Sequence, residues 1–90
     1  MNLALADLNE AVRLEPVAQY HLWRGAVHLH KRQFDQAGRD FNEAIRQEPG
    51  KADGYYLRAL TFEQMGEDAK ARKDFAEAFR LNPEVANRFR

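Results

Sequence analysis

The chain of 90 residues contains no cysteine, which excludes disulfide bonds, thiolate metal ligands and a cysteine nucleophile. Neither sign of charge is in excess, because 14 lysine and arginine residues balance 14 aspartate and glutamate residues. No apolar run approaches the roughly 20 residues that a helix needs to cross a bilayer. Asp7 and Glu10 also interrupt the N-terminal apolar stretch, which is unlike a signal peptide. We therefore expect neither nucleic acid nor a membrane as a partner.

Proline is scarce too, and its three occurrences are regularly spaced. Pro16, Pro49 and Pro83 are separated by 33 and then 34 residues. Similar stretches end at each of them, namely ADLNEAVRLEP, RDFNEAIRQEP and KDFAEAFRLNP. A fixed period of this length indicates stacked structural repeats, each of which is too small to bury its apolar face alone. Such stacks present an extended concave surface that typically holds a partner.

Apolar residues recur at three- and four-residue spacing along five segments, which predicts five amphipathic helices. The expected helices cover residues ~3–15, ~18–31, ~34–47, ~52–65 and ~68–81. No segment alternates apolar and polar residues as a half-buried strand would. The sequence therefore predicts an all-α chain built from helix–turn–helix units.

The repeat unit resembles the tetratricopeptide repeat (TPR), a pair of helices with small residues, an aromatic residue and a proline at fixed positions. These positions are held by Gly25, Ala37, Phe41, Ala44 and Pro49 in one unit, and by Ala59, Ala71, Phe75, Ala78 and Pro83 in the next. Ala4, Leu8, Ala11 and Pro16 match only the second half of a unit. The resemblance implies a TPR-like solenoid of about two and a half repeats, with antiparallel helix pairs.

The implied units divide the chain into four segments. The second helix of a partial repeat covers 1–16, complete repeats cover 18–51 and 52–85, and 86–90 begin a further helix or form a C-terminal tail. The family usually closes its arrays with a polar capping helix, because an uncapped stack exposes its core. We therefore expect the chain to be a piece of a longer array. The alternative is a small protein whose open ends are covered by self-association.

Charged residues recur with the same period. Arg24 and Arg58 share one repeat position, and Asp7, Asp40 and Asp74 share another. We expect at least one of these arginines to form a hydrogen bond with one of the aspartates, as a structural ion pair. Catalysis needs an asymmetric cluster of side chains, whereas these recur in each unit.

Three histidines lie on the second predicted helix. His21 and His28 share a helix face, and His30 points elsewhere. A metal site needs three or four convergent ligands, and no carboxylate joins this pair at helical spacing. We expect hydrogen-bonded imidazoles at positions where the family usually has aromatic residues, and neither a metal nor another cofactor. Because the chain also lacks a phosphate-binding loop and a nucleophile elbow, we predict that it is not an enzyme.

In the resembled family, ligands lie against the first helix of each pair, on the side turned away from the second helix. Transferred to this sequence, that face implies a partner-binding surface of Gln19, Leu22, Trp23, Ala26, His30, Asp53, Tyr56, Leu57, Leu60 and Glu63. The chaperone-binding branch holds a C-terminal carboxylate with lysine and asparagine, but Leu22 and Ala26 stand at those positions here, and Asp53 adds a repelling charge. We do not expect that class of ligand.

An apolar floor with an acidic rim suits a protein or peptide ligand that has an apolar or aromatic anchor flanked by basic residues. The sequence thus predicts a non-catalytic protein–protein interaction scaffold, and Trp23 is the expected anchor. In one alternative, Leu22 and Trp23 instead pack against a first helix that precedes this chain. The other is self-association as a homo-oligomer, through this surface or through an apolar face of the first helix formed by Leu3, Leu8 and Ala11.

Overall fold

The computed structural model describes residues 5–89. Within that range it contains five α-helices and a short 3₁₀ helix, and no strand. The helices are α1 (Leu5–Leu14), α2 (Ala18–His30), α3 (Phe34–Gln47), α4 (Ala52–Gln64) and α5 (Asp68–Leu81), followed by the 3₁₀ helix Val85–Phe89. The predicted all-α fold is confirmed, and the 3₁₀ helix lies where the sequence predicts a further helix or a tail.

The helices pair as the repeat predicts. The helix α2 packs against α3 to form the first complete repeat, and α4 packs against α5 to form the second. The two repeats meet through α3 and α4, while α1 packs on α2 in the corresponding way. One core cluster lies between the repeats and consists of Leu29, Ala37, Phe41 and Leu57. A second cluster, at the other end of the stack, consists of Ala52, Ala78 and Val85.

A glycine on α2 allows a close approach to α3. A Cβ atom at Gly25 would lie 2.5 Å from Cε1 of Phe41 and 3.0 Å from Cβ of Asp40. Distances this short cannot be relieved by small movements, because Phe41 is fully buried. The absence of a side chain at Gly25 is therefore what lets the Phe41 ring fill the pair interface.

The turns between paired helices share one backbone conformation. Arg32 has a φ of 61° and Gly66, which is 34 residues later, has a φ of 80°. In each turn the next amide donates to a carbonyl five residues earlier, from Gln33 to His28 (2.8 Å) and from Glu67 to Phe62 (2.9 Å). A left-handed residue is the usual way to end a helix with these bonds, and glycine adopts it without steric cost.

The prediction of an exposed apolar face on the first helix is wrong for the residues that the structure describes. Leu8 and Val12 are buried and Ala11 is half-buried, because α1 packs against α2. Leu3, together with the repeat position at Ala4, lies outside the described residues.

Candidate partner-binding surface

Two arginine–aspartate pairs bind the first helix of each repeat to the second. Arg24 donates from Nε to Oδ2 of Asp40 (2.9 Å) and from Nη2 to Oδ1 (2.7 Å). Arg58 donates in the same way to Asp74, at 2.6 and 2.8 Å. Hydrogen bonding to the aspartate raises the pKa of each arginine above its ordinary value. The predicted ion pair is confirmed in both repeats.

The third contact of each guanidinium reaches back to the preceding repeat. Nη1 of Arg24 donates to Oδ1 of Asn9 on α1 (3.2 Å), and Nη1 of Arg58 donates to Oδ1 of Asn42 on α3 (2.9 Å). Each arginine thus joins its own helix pair to the helix before it. These contacts fix the orientation of α2 and α4, the helices on which the sequence places the partner-binding surface.

The histidines are hydrogen-bonded, as predicted. His21 is buried, with Nδ1 at 3.2 Å from Oδ1 of Asp40, while Nδ1 of His28 lies 2.8 Å from Oε1 of Gln33. Among residues 5–89, no three histidine, aspartate or glutamate side chains converge in a way that would hold a metal ion.

A groove runs between the first helices, α2 and α4, with a shallow cavity at each end. The first cavity is lined by Ala18, Gln19, Leu22, Ala44, Glu48, Lys51, Asp53, Gly54 and Arg88. The second is lined by Ala26, Leu29, His30, Arg32 and Gln64. The first cavity joins the starts of both helices and the second joins their ends, so α2 and α4 run in the same direction. We call this feature the α2–α4 groove.

Most of the predicted surface residues lie along the α2–α4 groove. Gln19, Leu22 and Asp53 line the first cavity, whereas Ala26 and His30 line the second. Two further predicted residues belong to α4: Leu60 is half-buried and Glu63 is exposed. Leu22 and Leu60 both pack against the core cluster between the repeats.

Three predicted residues have other surroundings. Leu57 is buried in the core with Leu29 and Phe41, so it supports the surface from beneath and is not an accessible part of it. Trp23 occupies the corresponding position in the first repeat, but its side chain is 43% exposed. By the same correspondence Trp23 faces away from α4, towards the N-terminal end of the stack.

Tyr56, the third of these, lies under the 3₁₀ helix. Its ring stacks on Phe89 with 5.3 Å between centroids and an interplanar angle of 15°. It also meets the edges of Phe75 and Phe79 on α5, at 5.6 and 6.1 Å. Tyr56 therefore belongs to an aromatic cluster on the far side of α4 from α2.

Sequence reasoning missed the part played by the 3₁₀ helix. Nη1 of Arg88 donates to both carboxylate oxygens of Asp53, each at 2.9 Å, and Phe89 covers Tyr56. The 34-residue period is the signal that could have found these contacts. It aligns Arg88 with Gly54 and Phe89 with Tyr55, which places the segment beside α4 as α4 lies beside α2.

A further cavity lies between α3 and α4, away from the groove. Its lining includes Phe34, Gly38, Asn42, Phe62 and Met65. A Cβ atom at Gly38 would meet nothing within 4 Å. Gly38 is therefore a tolerated glycine that leaves this cavity open, and no close helix contact requires it.

Two family models described as "Tetratricopeptide repeat" match the sequence, one over residues 2–52 and the other over residues 52–85. The chain belongs to the tetratricopeptide-repeat family. TPR repeats generally mediate protein–protein interactions and serve as non-catalytic scaffolds. A search of curated protein sequences found no match.

Solved TPR structures share this fold. The Arabidopsis OM64 TPR domain is 28% identical, with a TM-score of 0.85 over 90% of this chain and 68% of that one. Two structures of MamA are 24% and 26% identical, with TM-scores of 0.82 and 0.81 over 88% and 93% of this chain. The chain spans about half of the MamA chains, at 47% and 46% of their length. No helix in the described TPR units is long and apolar enough to cross a membrane.

Proposed function

We propose that this TPR chain is a protein-interaction scaffold without catalytic activity of its own, and that its α2–α4 groove binds a peptide segment of a protein partner. The observation that carries the proposal is the groove itself. It lies between two first helices, ends in a cavity on each side, and includes the small residue Ala26 beside apolar Leu22 and Leu60.

The groove is held rigid before any partner arrives. Leu22 and Leu60 rest on the core cluster that contains Phe41. The two ion pairs tie α2 and α4 to their own second helices through almost fully buried carboxylates, which are 4% exposed in Asp40 and 7% in Asp74. A preformed surface loses little conformational entropy on binding, so more of the contact energy appears as affinity.

Charges around the first cavity favour a polar flank on the ligand. Glu48 lies 3.8 Å from Lys51, and Asp53 is paired with Arg88. Glu63 is exposed along α4. A basic residue of the partner would exchange with Lys51 or Arg88, while an apolar or aromatic side chain would contact Leu22 or Leu60.

Selection of binders from a random library of eight-residue peptides tests this proposal. Peptides enriched on the wild-type chain are measured again on Ala26→Arg, which places a long side chain in the second cavity. We expect a loss of affinity of at least about tenfold, equivalent to about 1.4 kcal/mol. Ala76→Arg is the matched control, because Ala76 is an exposed alanine on α5, away from the groove. Enriched peptides that bind both variants equally would contradict the proposal.

Self-association is a second candidate function, supported by apolar residues at both ends of the stack. Trp23 is exposed at one end and Phe79 at the other. Phe79 lies 34 residues after Ile45, which packs against Gly54 of the following repeat. The two ends therefore present faces of the kind that join repeats within the chain, and a second copy would cover them.

Sedimentation equilibrium over a range of concentrations separates the two candidates. If copies associate through the ends, Trp23→Ala should weaken the dimer by about 2 kcal/mol or more, as expected for a buried aromatic anchor. Met65→Ala is the control, because Met65 is equally exposed but lies beside the cavity between α3 and α4. A monomer at every concentration would contradict this second candidate and leave the groove proposal intact.

A further inference from the structure

The 3₁₀ helix presents an arginine and the aromatic residue after it to adjacent turns of α4. Arg88 forms the two hydrogen bonds to Asp53, and Phe89 stacks on Tyr56. Asp53 and Tyr56 are three residues apart on one helix, so their side chains lie on the same face. Two neighbouring residues of an extended or 3₁₀ segment thus match two neighbouring residues of α4 in both charge and shape.

These contacts are not required by the stacking of the repeats. The positions that correspond to Asp53 and Arg88 one repeat earlier are Gln19 and Gly54, and no ion pair can form between them. The α2–α4 contact is nevertheless made. The pairing of Arg88 with Asp53 is therefore particular to the far side of α4.

The receiving side chains are fixed, whereas the occupying ones are loosely held. The Asp53 side chain is only 17% exposed, while that of Arg88 is 57% exposed and Phe89 is 40% exposed. Tyr56 is held in place by the edges of Phe75 and Phe79. An ion pair with one exposed member contributes little stability, and a five-residue 3₁₀ helix has weak hydrogen-bond geometry of its own. The segment can therefore be displaced while the site remains formed.

We propose that Asp53 and Tyr56 form a recognition site for a partner segment in which an arginine is followed directly by an aromatic residue, and that Arg88 and Phe89 occupy this site in competition with the partner. The proposal rests on the proposed function, since it names the chemistry of a ligand for the same scaffold. Asp53 also lines the first cavity of the α2–α4 groove, as does Arg88. A partner that displaces the 3₁₀ helix thereby gains access to one end of the groove.

Competition within one chain has a measurable consequence. A tethered segment acts at an effective concentration that can reach the millimolar range, and it lowers the apparent affinity of a free ligand in proportion to the fraction of occupied sites. Removing the tethered side chains should therefore raise the affinity for a free peptide of the same sequence. Arg88→Ala/Phe89→Ala in the full chain makes that change.

The probe is a fluorescein-labelled peptide, Glu-Val-Ala-Asn-Arg-Phe, with a neutral C-terminal amide, and binding is followed by fluorescence anisotropy. We expect it to bind the doubly substituted chain at least about tenfold more tightly than the wild type. Asn87→Ala is the control, because Asn87 bonds within its own 3₁₀ helix to Glu84 and not to α4; its affinity should equal that of the wild type. A peptide with the last two residues exchanged, Phe-Arg, should bind at least about tenfold more weakly to the doubly substituted chain.

Asp53→Asn, added to the doubly substituted chain, tests the site directly. We expect it to weaken the probe at least about tenfold. Arg88→Gln alone keeps the Phe89 ring and should give a smaller gain in affinity, so it serves as the test if the double variant does not fold by circular dichroism. Equal binding to the wild type and the open variants, or indifference to Asp53→Asn or to the exchanged order, would overturn the proposal. If the library peptides are still sensitive to Ala26→Arg in that case, the groove function stands without it.

Discussion

In the first complete repeat the buried aspartate has two partners, whereas in the second it has one. Asp40 accepts from Arg24 and lies 3.2 Å from His21, but Asp74 is bonded to Arg58 alone among the described side chains. Tyr55 occupies the position of His21 in the second repeat. Its ring lies 5.7 Å from Cζ of Arg58 and stabilises the cation instead of the carboxylate. The same ion pair is thus supported from its acidic side in one repeat and from its basic side in the other.

The pair interfaces differ in a related way. Gly25 and the fully buried Phe41 meet in the first repeat, whereas Ala59 and the half-buried Phe75 occupy these positions in the second. The first repeat therefore depends on a missing Cβ atom, while the second admits a methyl group and turns its phenylalanine towards Tyr56 and Phe79. One repeat pattern thus accommodates two packings, and single substitutions can tell them apart.

The largest expected difference concerns the arginines. Arg58→Met leaves the carboxylate of Asp74 buried without a partner and should lower the free energy of unfolding by about 3–5 kcal/mol. Arg24→Met should cost clearly less, because His21 remains beside Asp40. Urea unfolding of both variants gives the comparison. Equal losses would mean that His21 contributes nothing to holding Asp40.

The glycine at the close helix contact is the next test. Gly25→Ala should lower the free energy of unfolding by about 1–3 kcal/mol, because the new methyl group overlaps the Phe41 ring. Gly38→Ala is a matched control within the same repeat, where open space surrounds the new atom. The control should gain about 1 kcal/mol, since alanine is the better helix former. A stabilising Gly25→Ala would show that α2 and α3 are not packed as described.

The two turns offer a smaller and opposite effect. Arg32→Gly should raise stability by about 1 kcal/mol, because a side chain in the left-handed conformation is strained and glycine is not. Gly66→Ala in the second repeat should lower stability by a similar amount, and thermal unfolding of the pair measures both. The same sign of change at the two positions would contradict a shared turn conformation.

The smallest effect concerns a surface carboxylate. Hydrogen bonds from Arg46 and then Gln47 lower the pKa of Glu43 to about 2 from its ordinary value of 4.5. Because the folded-state pKa is the lower one, the stabilisation is complete above pH 4.5 and is lost as the pH falls through about 2. Leu81 replaces Gln47 at the corresponding position of the second repeat. Gln47→Leu should therefore raise the pKa of Glu43, measured by NMR titration of its carboxyl carbon, and an unchanged pKa would remove Gln47 as a cause.

Much of this fold could be predicted from the sequence because its determinants are periodic. The three prolines fix the repeat length, and each predicted helix end lies within two residues of the observed one. The recurring Arg24 and Arg58 predict their partners for the same reason, since a residue that is constant in each unit makes a contact that is constant in each unit.

The candidate surface was less predictable because side chains on one helix face point to different neighbours. Leu57 and Tyr56 are adjacent in sequence, yet the first is buried between the repeats and the second lies under the 3₁₀ helix. Exposure of Trp23 depends on what covers the end of the stack, which helical spacing does not encode. The contacts of Arg88 and Phe89 arise from tertiary packing of a short segment that has no periodic pattern of its own.

The measurement that bears most directly on the central claim is an ¹⁵N-NMR titration of the wild-type chain with a peptide enriched from the random library. The account predicts that the largest backbone shift changes fall along the α2–α4 groove, at Gln19, Ala26, Asp53 and Leu60, and that the amides around Gly38 on the opposite face stay unchanged. Shift changes concentrated at the cavity between α3 and α4, or at the two ends of the stack around Trp23 and Phe79, with the groove unaffected, would contradict it.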